Sequence, residues 1–238
     1  MKTKIILLIL AFIGSTLWTI GAPAPRIKGS GNVIKETRNV TGFHALDIGG
    51  AFEIELVKSN EEKVILETDD NIMPFIETTV RGGELEIDNT KDINNPTKLK
   101  VVIYYKNLDE LEISGAAELY SSDVLESPKL ELDLSGASEV TLKIKTNDLS
   151  GDFSGASKVE LEGQADRADL DLSGASVIEC YGLEINNLNL DASGAAVVRV
   201  LVLEKLSIEA SGASSVRYKG NPSIDLQGVS GASSVRKG

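Results

Sequence analysis

A chain of 238 residues with 42% hydrophobic but only 5% aromatic residues has enough apolar mass for an aliphatic core in one or at most two domains. Its formal charge of -12 argues against a nucleic-acid partner, because phosphates would be repelled rather than neutralised. One cysteine, Cys180, excludes an intramolecular disulfide, and one histidine, His44, excludes a histidine-rich metal site.

The chain opens with Lys2 and Lys4, an unbroken apolar run over 5–13, and small residues at Gly14, Ser15, Gly21 and Ala22. That is the pattern of a secretory signal peptide over residues 1–22, and the run falls short of the roughly 18 to 20 residues a membrane span needs. Loss of Lys2 and Lys4 would take the charge from -12 to -14. The mature chain is therefore expected to be exported, to the periplasm, the outer surface or the medium, without a transmembrane span.

Residues 26–108 have strand and turn texture without a strict repeat. Apolar and polar residues alternate over 45–57 around Gly49 and Gly50, and further strands are expected at 63–68, 84–87 and 99–105. Segments 70–75 and 91–96 read as excursions. This part is expected to supply irregular coils that start and cap a stack continuing through 109–238.

In that second part the tetrapeptide Ser-Gly-Ala-(Ser/Ala) recurs, opening at Ser114, Ser135, Ser154, Ser173, Ser193, Ser211 and Ser230, with gaps of 21, 19, 19, 20, 18 and 19 residues. A period near 19–20 residues marks stacked coils, each burying its apolar face only against its neighbours. One residue before the serine stand Ile113, Leu134, Phe153, Leu172, Ala192, Ala210 and Val229. Three before it are Leu111, Leu132, Leu170, Leu190 and Ile208, with Gly151 and Gln227 breaking the column. Five residues past the serine, Leu119, Val140, Val159, Ile178, Val198, Val216 and Val235 resume the inward alternation. Each coil then reads as strand, corner, strand, and a looser return containing Gly163, Gly182, Gly220 or Pro222.

The corner glycines Gly115, Gly136, Gly155, Gly174, Gly194, Gly212 and Gly231 suit a turn that demands positive φ. The architecture expected is all-β: a parallel β-solenoid, read as a right-handed single-stranded β-helix. At about 4.8 Å per coil, seven coils make a column of roughly 34 Å.

Gly29-Ser30-Gly31-Asn32, the stretch GFHALDIGGAFEIEL over 42–56, the segment DNIMPFIETTVRGGELEI over 70–87, and the serial corners ending in Ser233-Ser234-Val235-Arg236 together resemble the bacterial head GIN domain family of auto-transporter adhesins, common in Bacteroidetes. The resemblance spans nearly the whole mature chain. It implies a β-helix with glycine-containing tight turns, export, and a role in adhesion, and it carries no catalytic residues onto this sequence.

Two outward columns are candidate binding surfaces. Between the inward positions lie Glu112, Asp133, Asp152, Asp171, Asp191 and Glu209, a row suited to calcium or to sugar hydroxyls. The plainer reading, which is favoured over a cofactor, is a solvated face, since outward strand positions are polar in any case. The second column runs Thr141, Glu160, Glu179, Arg199, Arg217 and Arg236. Its arginines suit an anionic glycan or a partner's carboxylates, or else guard the last coil against edge pairing.

A polysaccharide-processing enzyme is the competing reading of such a fold, and a purely structural envelope protein is a third. The uniform acidic row lacks the local break, with a basic or histidine partner, that a catalytic cluster needs. The expectation is a non-enzymatic envelope module that contacts glycan or surface protein through a solenoid face, with homo-oligomerisation left open.

Overall fold

The computed structural model describes residues 26–238, so the signal expected over 1–22 lies outside the described residues. The strands in chain order are β1 (Ile27–Lys28), β2 (Val33–Arg38), β3 (Ala45–Ile48), β4 (Glu53–Lys58), β5 (Lys63–Asp69), β6 (Ile76–Arg81), β7 (Glu84–Asn89), β8 (Ile93–Asn94) and β9 (Leu99–Tyr105). There follow β10 (Glu110–Ile113), β11 (Glu118–Leu134), β12 (Glu139–Phe153), β13 (Lys158–Leu172), β14 (Val177–Ala192), β15 (Val197–Ala210), β16 (Ser215–Lys219), β17 (Ser223–Val229) and β18 (Ser234–Lys237). A single 3-10 turn, Met73–Phe75, interrupts them.

From β10 onward every pairing is parallel and joins one coil to the next, which is the β-solenoid expected. The return of each coil is not loose. Strands β11 to β15 run from one corner to the next and are paired along their length, with Gly163 inside β13 and Gly182 inside β14. Only Gly220 and Pro222 sit in a connection, between β16 and β17.

Unequal coil lengths are absorbed as bulges. The 21-residue gap after Ser114 appears as a register shift between Tyr120 and Val124, and the 20-residue gap after Ser173 as one between Cys180 and Glu184. Extra residues thus leave the ladder without displacing the corners.

Those corners form a continuous row. Ala137, Ala156, Ala175, Ala195, Ala213 and Ala232 each donate an N–H, at 2.7 Å, to the carbonyl of the glycine one coil below. At Gly174, φ is +78°, and a Cβ there would lie 2.4 Å from the Gly155 carbonyl oxygen. Glycine is required twice over, by its dihedral and by the approach of the next backbone. Gly50 begins the same row: Ala116 donates to its carbonyl at 2.9 Å, so Gly49-Gly50-Ala51 is a corner in another spelling.

Gly50 and Gly115 are neighbours in the stack yet far apart in the chain. Strands β3 and β4 form one rung, and the chain then drops beneath it, where β7 pairs with β3 and β9 with β4. It next passes over that rung to lay β10 on β3 and β11 on β4. Antiparallel strands close this end: β5 pairs with β9 and β2, and β6 with β7. Arg38 bridges the closure, its Nη1 donating to the Ile76 carbonyl at 2.6 Å and to Thr78 Oγ1 at 2.8 Å. One apolar core continues from Phe43 in this end to Val216 in β16.

Candidate functional site

The strand register sorts the outward side chains into columns, and the two sheet faces differ in how their charges are compensated. On the face leading into the corners, the acidic column runs Glu86, Asp47, Glu112, Asp133, Asp152, Asp171, Asp191, Glu209 and ends at Gly228. Glu86 and Asp47 extend the row read from the repeats. Alignment on Ser-Gly-Ala misses them because their rungs use the Gly49-Gly50 corner or a longer connection. A neighbouring column carries Glu84, Glu110, Glu131, Asp169 and Asp225.

Burial, reinforced by like charges on adjoining strands, pushes the carboxyls of Asp47, Glu110, Glu112, Asp133 and Asp171 above their ordinary range. Carboxylate oxygens of Asp47, Glu84 and Glu112 come within 4.8 Å of one another.

The face leaving the corners is compensated in its rungs up to Arg199. Its register joins Thr141, Glu160, Glu179, Arg199, Arg217 and Arg236 in one column and adds Tyr120 before them. Arg199 pairs with Glu179 and Lys158 with Glu139, each across one rung. Lys100 Nζ lies 3.0 Å from Glu53 Oε1 and 2.9 Å from Glu55 Oε2. Among the described residues, Arg217 and Arg236 form no ion pair.

A groove of about 520 Å³ follows the acidic face where each coil bends. Its floor is Leu149, Ala168 and Leu188, and its rims are Lys129, Asp148, Arg167, Asn187 and Lys205 on one side and Ser150, Asp169, Asn189 and Ser207 on the other. The first rim is one register column. Side-chain bonds set the bend: Ser127 Oγ donates to the Lys129 carbonyl at 2.7 Å, and Thr146 Oγ1 to the Asp148 carbonyl at 2.9 Å.

Within the groove, Arg167 Nε donates to Asp148 Oδ1 at 2.6 Å, and that bond holds the Asp148 carboxyl below its usual range. Asn189 Nδ2 donates to Asp169 Oδ1 at 3.1 Å. The rim column stands six residues before each corner serine, one before the apolar residues Leu130, Leu149, Ala168, Leu188 and Leu206. The alternation there was the available signal. The turn in direction that makes a groove of it was not.

Other candidates take structural places. The closing serines of the corners point inward and donate to backbone carbonyls, Ser157 Oγ to Ser154 at 2.9 Å and Ser176 Oγ to Ser173 at 3.1 Å. His44 Nδ1 lies 2.9 Å from Asp109 Oδ1 at the surface. Cys180 is buried, and burial pushes its thiol up to about 12.

The family described as "Putative auto-transporter adhesin, head GIN domain" matches residues 42–222. A crystal structure of "a putative adhesin" from Bacteroides fragilis superposes with a TM-score of 0.83 at 23% identity, covering 89% of this chain and 99% of that one. One from Parabacteroides merdae, also "a putative adhesin", gives 0.73 at 20% identity, covering 90% and 99%. A "putative lipid binding protein" from Parabacteroides distasonis gives 0.68 at 20% identity, covering 90% and 99%. At these identities the likeness is one of fold. No curated protein matches the chain.

Proposed function

The chain belongs to the head GIN domain family, and from that premise we propose that it is an exported, non-enzymatic adhesion module that holds a glycan or surface protein against the acidic side of its solenoid. The observation that carries this reading is the groove along that side. Its volume falls within the few hundred to a thousand Å³ typical of ligand sites, and it joins an apolar floor to facing donors and acceptors. Amides, carboxylates and ammonium groups in rows one rung apart suit an extended chain of hydroxyls or peptide groups running along the solenoid axis.

The carboxylates of the groove are hydrogen-bonded within it, Asp148 to Arg167 and Asp169 to Asn189. Adhesion names attached to the family and to its structural neighbours support the class of function. No helix among the described residues is long and apolar enough to cross a membrane.

A glycan and surface-protein array probed with the mature protein tests the reading. Retained binding partners without released product are expected, and Asn189→Ala with Lys205→Ala should weaken capture by about tenfold, at a melting temperature close to that of the parent. Release of oligosaccharide from a bound polysaccharide, or capture untouched by the double change, would overturn it.

A further inference from the structure

We propose that the face leaving the corners is a contact between two copies of this chain, packed face to face with their solenoid axes antiparallel. Outward positions of a solenoid strand are expected to be polar, and the exceptions on this face fall together on β14 and β15. The column Glu139, Lys158, Val177, Val197, Ser215 turns apolar on those two strands alone. Four residues further along each strand, Lys143 and Glu162 give way to Tyr181 and Leu201 before Lys219 brings charge back. All four apolar residues are half-buried, and the Tyr181 ring lies along the face, with Lys219 Nζ 4.0 Å from its centroid.

The column between these two changes sign at the same level, from Glu160 and Glu179 to Arg199 and Arg217. A surface that reverses its charge about an apolar centre is complementary to itself. That selects a second copy as the occupant.

Charge also fixes how the second copy sits. A two-fold axis parallel to the strands, passing between β14 and β15, keeps each column over its own counterpart and reverses the order of the rungs. Val177 then meets Val197 and Tyr181 meets Leu201, while Glu179, Glu160 and Glu162 face Arg199, Arg217 and Lys219 of the second copy, each contact made twice by symmetry. An axis along the solenoid would leave the rungs level and oppose Glu179 to Glu179 and Arg199 to Arg199. Moving the favoured axis onto β15 would likewise bring Arg199 against its own counterpart.

Glu160 and Arg217 are the decisive pair. Both are exposed, and among the described residues neither forms an ion pair, whereas Glu179 and Arg199 already pair within the chain. In one copy they stand three rungs apart, about 14 Å, too far to meet. Across the two-fold they face each other. The contact is small for a permanent dimer, so association is reversible. It uses no residue lining the groove over Leu149, Ala168 and Leu188.

Sedimentation equilibrium of the mature protein across a concentration series tests the assignment. A reversible equilibrium between monomer and dimer is expected, weakened by added salt. Glu160→Arg and Arg217→Glu should each weaken it further by at least about tenfold, with unchanged circular dichroism, and the two changes combined in one chain should restore it. Restoration cannot come from within a copy, where the two positions are out of reach. A monomer at every concentration, assembly beyond the dimer, single changes without effect, or a combined variant no tighter than the single ones would overturn the proposal.

Discussion

Gly174 shows how much one residue of the corner carries. Any other residue there must hold φ near +78°, and its Cβ would also press on the Gly155 carbonyl at 2.4 Å. Gly82, in the turn between β6 and β7, has φ +62° with nothing within 4 Å of the Cβ position, so it isolates the first effect. Gly82→Ala is expected to cost about 1 to 2 kcal/mol, the penalty of a left-handed conformation. Gly174→Ala should cost about 1 to 3 kcal/mol more, because the stacked backbones must part. Denaturant midpoints measured side by side decide this, and equal costs would mean that the row yields without penalty. Other departures at this scale have reasons of their own. Gly151 breaks an apolar column because the Phe153 ring fills its side-chain space, Cζ lying 2.6 Å from where its Cβ would be. Corner serines and alanines interchange because both fit the inner bend, the serine hydroxyl being satisfied by the turn's own carbonyl.

At the scale of the element, the acidic column sets like charges one rung apart and gives each little compensation. Apolar burial holds the strands together against it. Asp171 is the clearest case, its carboxyl raised by burial and then by Asp191, Asp169 and Asp152. A carboxyl raised in the folded state contributes stability at low pH that is lost as pH rises through its folded pKa. Asp171→Asn should therefore raise the melting temperature at neutral pH by about 1 to 3 °C, a gain that fades below pH ~4 and in high salt. A melting curve unmoved at neutral pH would mean that the row is already neutralised, as a bound cation would do. Most of this column was legible, since residues two before each corner serine are acidic from Glu112 to Glu209. The groove was not. It arises where the strand bends around Thr146 and Ser127, and a bend of this kind leaves no spaced signature as the glycine corners do.

For the whole molecule the limit of legibility lies at the first two rungs. Strands β3, β7 and β9 stand out in the sequence, but alternation in a strand does not encode which rung it will stack on, so the passage of the chain beneath β3 and β4 and back over them had to be seen. The same end is fastened by a different chemistry from the coils. Asp69 is fully buried, and its carboxylate accepts from the Gly31 N–H at 2.7 Å, the Thr97 N–H at 2.7 Å and Thr97 Oγ1 at 2.8 Å. Asp70 beside it accepts from Ser30 Oγ at 2.6 Å and Asn32 Nδ2 at 2.8 Å. Burial pushes the Asp69 carboxyl up, but these donors outweigh it and hold the group below its ordinary value; Asp70 is lowered by Ser30 and Asn32. For a lowered carboxyl the stability is present above the unfolded pKa and is lost as pH falls through the folded one, the reverse of the acidic column. Acid should thus loosen the first end while relieving repulsion along the coils. Because each rung of a solenoid answers chiefly to its neighbours, the two responses need not average out. Hydrogen exchange followed as pH falls from ~5 towards ~3, with intrinsic rates corrected, should show protection lost first over β2 and the Gly31 region and retained in β12 to β15. Loss at one common pH across all strands would show instead that the cap and the coils unfold as a single unit.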